Sequence, residues 1–100
     1  MTPLPVRLLP EARQEFDEAI EWYAHQNKSL AIDFVTNIRN VLNRIAVLPK
    51  MHRVVYRDVR KAVVKRFPFV VVYREEATEL IVVSIIHTAR HDDVWKQRVN

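Results

Sequence analysis

The chain has 100 residues, of which 49% are hydrophobic, so we expect a single domain over residues 1–100 with one core. The absence of cysteine excludes a disulfide scaffold and a thiolate metal site, and the absence of glycine excludes glycine-rich phosphate loops. A net charge of +4 and a pI near 9.8 favour an acidic partner, either nucleic acid or an acidic protein segment. The sequence contains no membrane-length apolar run and no secretion signal, so the expected compartment is the cytoplasm.

A short strand and two helices are predicted for the first half of the chain. Residues 6–9 form an apolar run between prolines, which suits a brief edge strand. Apolar spacing of three and four residues then predicts amphipathic helices over residues 10–25 and 29–48. Ser29 is the expected N-cap of the second helix, and Asn27 is expected to be left-handed. A connection of about four residues would make the helices antiparallel neighbours.

The two helices need a sheet to cover their apolar faces, and the second half of the chain supplies one. The expected contact residues on the helices are Phe16, Ile20, Phe34, Ile38 and Leu42. From Lys61 to His87, three runs of β-branched and aromatic residues are separated by Pro68 and by the acidic stretch 75–79, which predicts an antiparallel meander. The third run, residues 80–87, is apolar at nearly every position, so we expect it to be covered on both faces and to form the centre of the sheet.

Two segments flank this meander. Residues 50–60 form a basic connector in which residues 54–56 fit either a short strand or a loop. After His87, either Asp92 or Asp93 is expected to cap one or two helical turns, with Trp95 packing back onto the core. The predicted fold is therefore α+β: an N-terminal strand, an antiparallel helical hairpin packed on a small antiparallel sheet, and a short C-terminal helix.

Several acidic, histidine and serine side chains could act in a catalytic or metal site, but their positions favour structural roles. Glu11, Glu15 and Glu18 share one helical face without a histidine at matching spacing, so we expect a solvated face. His87 ends a strand and His91 lies in a turn, so their spacing does not predict a metal site. Ser84 lies inside the predicted core strand, where a hydroxyl is usually structural. We expect neither a metal nor a cofactor.

Basic residues carry the remaining chemical signal. A patch of them can hold phosphate, can stabilise charge in phosphodiester cleavage with His87 or His91 carrying a proton, or can simply keep an exposed sheet edge soluble. The sequence leaves these three alternatives open. The candidates are Arg53, Arg57, Arg60, Lys61, Lys65, Arg66, Arg74, Arg90 and Arg98.

Two strings in the second half of the chain resemble the RelE/ParE superfamily of type II toxin-antitoxin toxins. They are Arg66-Phe67-Pro68-Phe69-x-Val71-x-Tyr73-Arg74 and, after a strand ending in histidine, His87-x-x-Arg90-x-x-x-x-Trp95. The predicted helices, with Trp22-Tyr23 in the first and Phe34 in the second, also resemble the hairpin of the ParE branch. The resemblance covers nearly the whole chain.

The superfamily divides by chemistry, and two positions separate its branches. The RelE branch cleaves mRNA on the ribosome and uses an arginine in the central strand, where this chain has Val70, and a tyrosine near the C-terminus, at about Trp95. Valine cannot clamp a phosphate, and the indole has no hydroxyl for proton exchange. The resemblance therefore implies the ParE branch, whose members lack the ribonuclease residues and act by poisoning DNA gyrase.

Three functional hypotheses follow. The leading one is a non-catalytic gyrase inhibitor neutralised by a cognate antitoxin, with which it forms a hetero-oligomer. The second is a ribosome-dependent mRNA endonuclease that uses Arg53, Lys65, Arg66, His87 and Arg90. The third is a non-toxic binding domain of the same fold.

The resemblance and the basic patch together give each candidate residue an expected role. The expected target-binding residues are Arg60, Lys61, Arg66, Arg90 and Arg98. An acidic antitoxin segment is expected to pair with Arg57, Arg60 or Arg66. The residues expected to be structural are Phe67, Pro68, Tyr73, His87 and Trp95.

Overall fold

The structure, a computed structural model, describes residues 2–99 and has the predicted α+β architecture. A five-stranded sheet has the strand order β1-β5-β4-β3-β2. In chain order the elements are β1 (Val6–Leu8), α1 (Pro10–Gln26), α2 (Lys28–Val47), β2 (Val54–Tyr56), β3 (Val59–Val63), β4 (Phe69–Glu75), β5 (Leu80–His87), α3 (Asp93–Lys96) and a terminal 3₁₀ turn (Gln97–Val99).

The sheet combines the predicted meander with one parallel strand. β2 to β5 pair antiparallel in sequence order, whereas β1 runs parallel to β5, with Val6 opposite Leu80 and Leu8 opposite Val82. The prediction that β5 is covered on both faces is correct, because every residue from Leu80 to Ile86 is buried. The prediction that β5 is central is wrong: β4 occupies the middle, because only β1 lies beyond β5, whereas β3 and β2 both lie beyond β4.

The connection between the two helices differs from the prediction. A single residue, Asn27, separates α1 from α2, and its backbone is extended with φ at −169°. Its side-chain Oδ1 accepts hydrogen bonds from the backbone N–H groups of Ser29, at 2.8 Å, and Leu30, at 3.4 Å. Asn27 is therefore the N-cap of α2 in place of Ser29, and it is not left-handed.

The left-handed positions lie in the strand turns instead. Arg57, with φ at 52°, and Arg66, with φ at 69°, have positive φ angles in the β2–β3 and β3–β4 turns. An L-residue with a side chain pays a steric penalty of about 1 to 2 kcal/mol in this region. The chain has no glycine to place at either turn, so arginine adopts the conformation.

The helical hairpin packs on one face of the sheet through an aromatic cluster centred on Phe34. The Phe34 ring lies 4.9 Å from the rings of Tyr23 and Phe69, 5.3 Å from Phe67 and 6.0 Å from Phe16, measured between centroids. Of the predicted contact residues, Phe16, Phe34 and Ile38 are buried, while Ile20 and Leu42 pack at the border of the core.

The opposite face of the sheet is covered by the short C-terminal segment. The Trp95 side chain is fully buried there. It packs against a second apolar cluster made of Val59, Val70, Val72, Val83 and Ile86. The Lys61 ammonium bonds the Asp92 carboxylate at 2.9 Å and fastens the segment to β3. The segment 50–60, left open by the sequence, contains the short edge strand β2.

Candidate interaction surfaces

The C-terminal segment is anchored to α1 and β5 by a largely buried ion pair. The Arg98 guanidinium donates to both carboxylate oxygens of Glu15, at 3.0 and 3.2 Å, and to the Val83 carbonyl at 3.0 Å. The side chains of Arg98 and Glu15 are only 13% and 14% exposed. Ser84 Oγ and the Ile85 N–H also donate to Glu15, at 2.9 and 3.3 Å.

The Arg98–Glu15 ion pair shows that the prediction for Glu15 is wrong, and it gives both side chains a structural role. Glu15 was expected on a solvated helix face, but it lies beside β5 beyond the last residue paired with β1. Glu15 and Arg98 together satisfy backbone groups of β5 that no strand pairs in this part of the described sheet. Arg98, an expected target-binding residue, instead holds the C-terminal segment in place. Ser84 is buried and serves the same anchor, which is a structural role.

Lys65, Arg66, His87 and Arg90 lie toward one end of the sheet. Lys65 and Arg66 belong to the β3–β4 turn, and His87 ends β5 opposite Phe69 at the start of β4. Arg90 follows in the exposed turn after β5. Four of the five residues proposed for a ribonuclease site therefore share this end of the molecule.

Two of these side chains already have partners. Arg66 lies 3.6 Å from the Asp33 carboxylate on α2. His87 Nδ1 accepts a hydrogen bond from the Ala89 N–H at 3.0 Å, which ties the imidazole to the turn that leads into the C-terminal segment. Its Nδ1 lone pair is thus occupied.

The other expected site residues lie near the opposite edge. Arg53 immediately precedes β2, the strand at the far side of β3. Arg60 is half-buried and donates to the carbonyls of His52, at 2.6 Å, and Lys50, at 3.4 Å. Arg60 and Lys61 therefore hold the connector and the C-terminal segment, and Arg53 is separated from His87 by the intervening strands.

Three of the remaining motif residues have contacts within the fold. Phe67 is buried in the aromatic cluster. The Pro68 carbonyl accepts from the Thr88 N–H at 2.8 Å. Tyr73 Oη donates to the Pro49 carbonyl at 2.7 Å, and burial raises the pKa of its phenol.

A groove of about 610 Å³ runs between α1 and the end of β5. Trp22, 61% exposed, stands in its wall together with Tyr23, Phe69, His87 and Arg90. The sequence pattern did not assign Trp22 to a site. It did place Tyr23 on the apolar stripe of α1 and Trp22 outside that stripe, which could have indicated an exposed indole. Glu15, Glu18 and Arg90 supply the charged groups of the groove, and an exposed indole in such a groove is typical of a protein-binding surface.

No group of three His, Asp or Glu side chains within residues 2–99 is arranged to hold a metal ion. None of the helices described has an apolar stretch long enough to cross a bilayer.

Fold and comparisons agree on the class of protein, a small toxin fold with a helical hairpin over a sheet. A solved structure, the chromosomal ParDE toxin-antitoxin system from P. aeruginosa, is similar with a TM-score of 0.73 and 17% sequence identity. The alignment covers 84% of this chain and 95% of that chain. At this identity the likeness concerns the fold.

The family model of the ParE toxin of the type II toxin-antitoxin system parDE matches residues 6–92. The chain therefore belongs to the ParE toxin family, which confirms the branch favoured by Val70 and Trp95. Among curated protein sequences no significant match is found.

Proposed function

We propose that this protein is a toxin that inhibits DNA gyrase without cutting nucleic acid and that a cognate antitoxin neutralises it. The observation that carries the proposal is the burial of Val70 and Trp95. Both positions, which the ribonuclease branch fills with an arginine and a tyrosine, are here 6% and 0% exposed. Val70 lies beneath the C-terminal segment, and Trp95 is the side chain of that segment that packs into the same apolar cluster.

Burial removes these two positions from any contact with RNA. The transition state of phosphodiester cleavage is stabilised by cationic donors, and a general acid or base must reach the proton that it transfers. The basic residues that remain at the β3–β4 end include Arg66, paired with Asp33, and His87, whose Nδ1 is engaged. This supports inhibition by binding over catalysis.

The target contact is proposed at the rim of the Trp22 groove. Of the five basic residues expected to contact the target, Arg60, Lys61 and Arg98 bond other parts of the fold. Arg90 is exposed at the groove, and Arg66 is exposed nearby with one weak ion pair. We therefore place the contact with gyrase on Arg90 and Arg66.

The antitoxin is proposed to bind as an extended or helical segment across the helical hairpin and the adjoining sheet edge. The Trp22 groove offers an apolar surface on this path, and a carboxylate of the antitoxin can replace Asp33 as the partner of Arg66. Arg57 and Arg60, the alternative partners, lie on the far side of the sheet or hold the connector. Toxin and antitoxin would form a hetero-oligomer in the cytoplasm, where gyrase acts.

The gyrase proposal is tested with purified toxin in two assays. We expect inhibition of supercoiling by gyrase, with mRNA left intact on translating ribosomes. Arg90→Ala should relieve the inhibition, whereas Arg39→Ala, an exposed change on α2, should not. Codon-dependent mRNA cleavage that disappears in Arg90→Ala would overturn the proposal, and inactivity of folded protein in both assays would favour a non-toxic binding domain.

The antitoxin proposal is tested with the product of the neighbouring reading frame. Co-expression should give a stable complex, and Trp22→Ala should weaken it. Ile32→Ala provides a matched control, because Ile32 is also exposed on the hairpin, at 60%, and lies outside the Trp22 groove. Equal binding by both variants would remove the Trp22 groove from the interface.

A further inference from the structure

The face of the sheet opposite the hairpin carries a basic aromatic surface centred on Tyr56. Arg57 Nε donates to Tyr56 Oη at 3.1 Å, and its guanidinium carbon lies 5.3 Å from the centre of the Tyr56 ring. Lys96 Nζ lies 5.1 Å from the same ring. The ring in turn packs edge-on against buried Trp95, at 5.9 Å between centroids. We call Tyr56, Arg57 and Lys96 the Tyr56 platform.

The carboxylates near the Tyr56 platform balance its positive charge only in part, because each has another partner. Asp58, next to Arg57, bonds Arg74 at 3.2 Å. Near Lys96, Asp92 bonds Lys61 at 2.9 Å and Asp93 bonds His91 at 3.2 Å. Within residues 2–99, no carboxylate forms an ion pair with Arg57 or Lys96. Two cations held at one aromatic ring repel each other, and a bound anion removes that repulsion.

The backbone at Arg57 also suggests that its side chain is required there. Arg57 occupies a left-handed position in the two-residue turn between Tyr56 and Val59. Asparagine and glycine adopt this conformation with less strain than arginine. Strained backbone of this kind collects at functional sites.

We propose that the Tyr56 platform binds the phosphodiester backbone of DNA. Arg57 is exposed, Lys96 is half-buried, and neither lines the Trp22 groove. A protein partner would need a pocket for an anchoring side chain, whereas a phosphate backbone needs only exposed cations. Arg53, three residues before Tyr56, is a further exposed cation in this part of the chain. Binding should be independent of base sequence, because the proposed contacts are to phosphates alone.

The test measures fluorescence anisotropy of a short fluorescein-labelled DNA duplex titrated with the purified full chain, from roughly 50 to 200 mM salt. Wild type should bind, with affinity falling as salt rises. Arg57→Asn/Lys96→Gln should bind at least about tenfold more weakly, and its log–log salt slope should be shallower by about 1.8, for two lost phosphate contacts. Asparagine suits the left-handed backbone, so this variant should keep its melting temperature.

A matched control is Lys28→Gln/Arg39→Gln, which removes the same net charge from exposed positions on α2. It should bind DNA within about twofold of wild type. An equal loss in this control, or no salt-dependent binding by wild type, would overturn the proposal. So would polyglutamate that binds as tightly as DNA with the same dependence on Arg57 and Lys96, because that result would assign the surface to an acidic peptide. Gyrase is absent from this assay, so its outcome is separate from that of the gyrase proposal.

Discussion

The two faces of the sheet are covered by very different amounts of protein. On one face, two helices of 17 and 20 residues bury a continuous aromatic core around Phe34. On the other, four helical residues and a 3₁₀ turn cover a valine-rich cluster with one large side chain, Trp95. The first, called the hairpin face, is held mainly by apolar contact. The second, called the thin face, depends more on the ion pairs of Arg98 with Glu15 and of Lys61 with Asp92. We therefore expect the thin face to be more sensitive to changes of charge than the hairpin face.

Phe34→Ala should have the largest effect, because Phe34 is fully buried at the centre of the hairpin face. Loss of its apolar contacts and the resulting cavity should lower the free energy of unfolding by about 3 to 5 kcal/mol. Urea denaturation followed by circular dichroism measures this. Ile32→Ala, an exposed control on the same helix, should change it by less than about 0.5 kcal/mol. A loss below about 1 kcal/mol in Phe34→Ala would contradict the assignment of the core.

Arg98→Met should come next, because it leaves the Glu15 carboxylate largely buried without its cation. We expect a loss of about 2 to 3 kcal/mol in the free energy of unfolding. Glu15→Gln/Arg98→Met should cost less than the sum of the two single changes, since the two groups share one set of hydrogen bonds. A double-mutant cycle from urea denaturation gives this coupling. Strict additivity would show that the anchor contributes no pairwise stability.

Lys61→Met tests the second ion pair of the thin face, and its effect should be small and pH-dependent. The hydrogen bond from Lys61 lowers the pKa of Asp92 below its ordinary value. A lowered carboxyl pKa stabilises the fold above the unfolded-state pKa, and this contribution is lost as the pH falls through the folded-state pKa. The substitution should therefore cost about 0.5 to 1 kcal/mol near pH 7. Melting temperatures of wild type and variant should converge once the pH has fallen below the lowered pKa of Asp92. A constant difference at every pH would contradict this.

The smallest expected effect comes from His52, a histidine on the hairpin side of the sheet. Its ring packs 6.3 Å from Tyr73, and burial, followed by the Arg44 charge, lowers the pKa of His52 below the usual 6.5. The unfolded chain therefore takes up a proton first as the pH falls below 6.5, so stability declines with acidification. His52→Gln should flatten the melting-temperature profile in this range. An unchanged slope would exclude His52 as its cause.

The Trp22 groove and the Tyr56 platform lie at different faces of the sheet, so we expect binding at each to depend on a different part of the fold. The Trp22 groove lies beside the thick hairpin, and the Tyr56 platform rests on Trp95 at the thin face. Changes that loosen the C-terminal segment should therefore disturb the Tyr56 platform before the Trp22 groove. Lys61→Met provides this test, because Lys61 holds the C-terminal segment through Asp92 and does not line the Trp22 groove, so DNA binding should weaken in it more than antitoxin binding does.

Local pattern was enough to predict most of the fold. Residues three and four apart in α1 and α2 share a face whatever else the chain does, so the core positions Phe16, Phe34 and Ile38 could be read from spacing. The continuous apolar run of β5 likewise implied cover on both faces. The Asn27 cap was missed, because both Asn27 and Ser29 are good capping residues and the choice depended on where α1 ended.

The candidate sites could be predicted only in part, because their contacts join distant parts of the chain. The basic residues and the Arg66 to Arg74 string indicated the family, but spacing did not show which cations were already paired. Glu15 and Arg98 are 83 residues apart, and Glu15 looks like any other acidic residue of α1 until β1 ends beside β5.

Sequence patterns alone were enough to predict most of the secondary structure, the burial of β5 on both faces and the resemblance to the toxin family. These depend on side chains that are neighbours along the chain or on strings of residues. The tertiary structure decided which charges remained available: it placed Arg98 and Arg60 inside the fold, left Arg90 beside Trp22, and set Arg57 and Lys96 against Tyr56. Hydrogen bonds and ion pairs act over a few ångströms, so only the folded arrangement of the strands could bring these groups together or keep them apart.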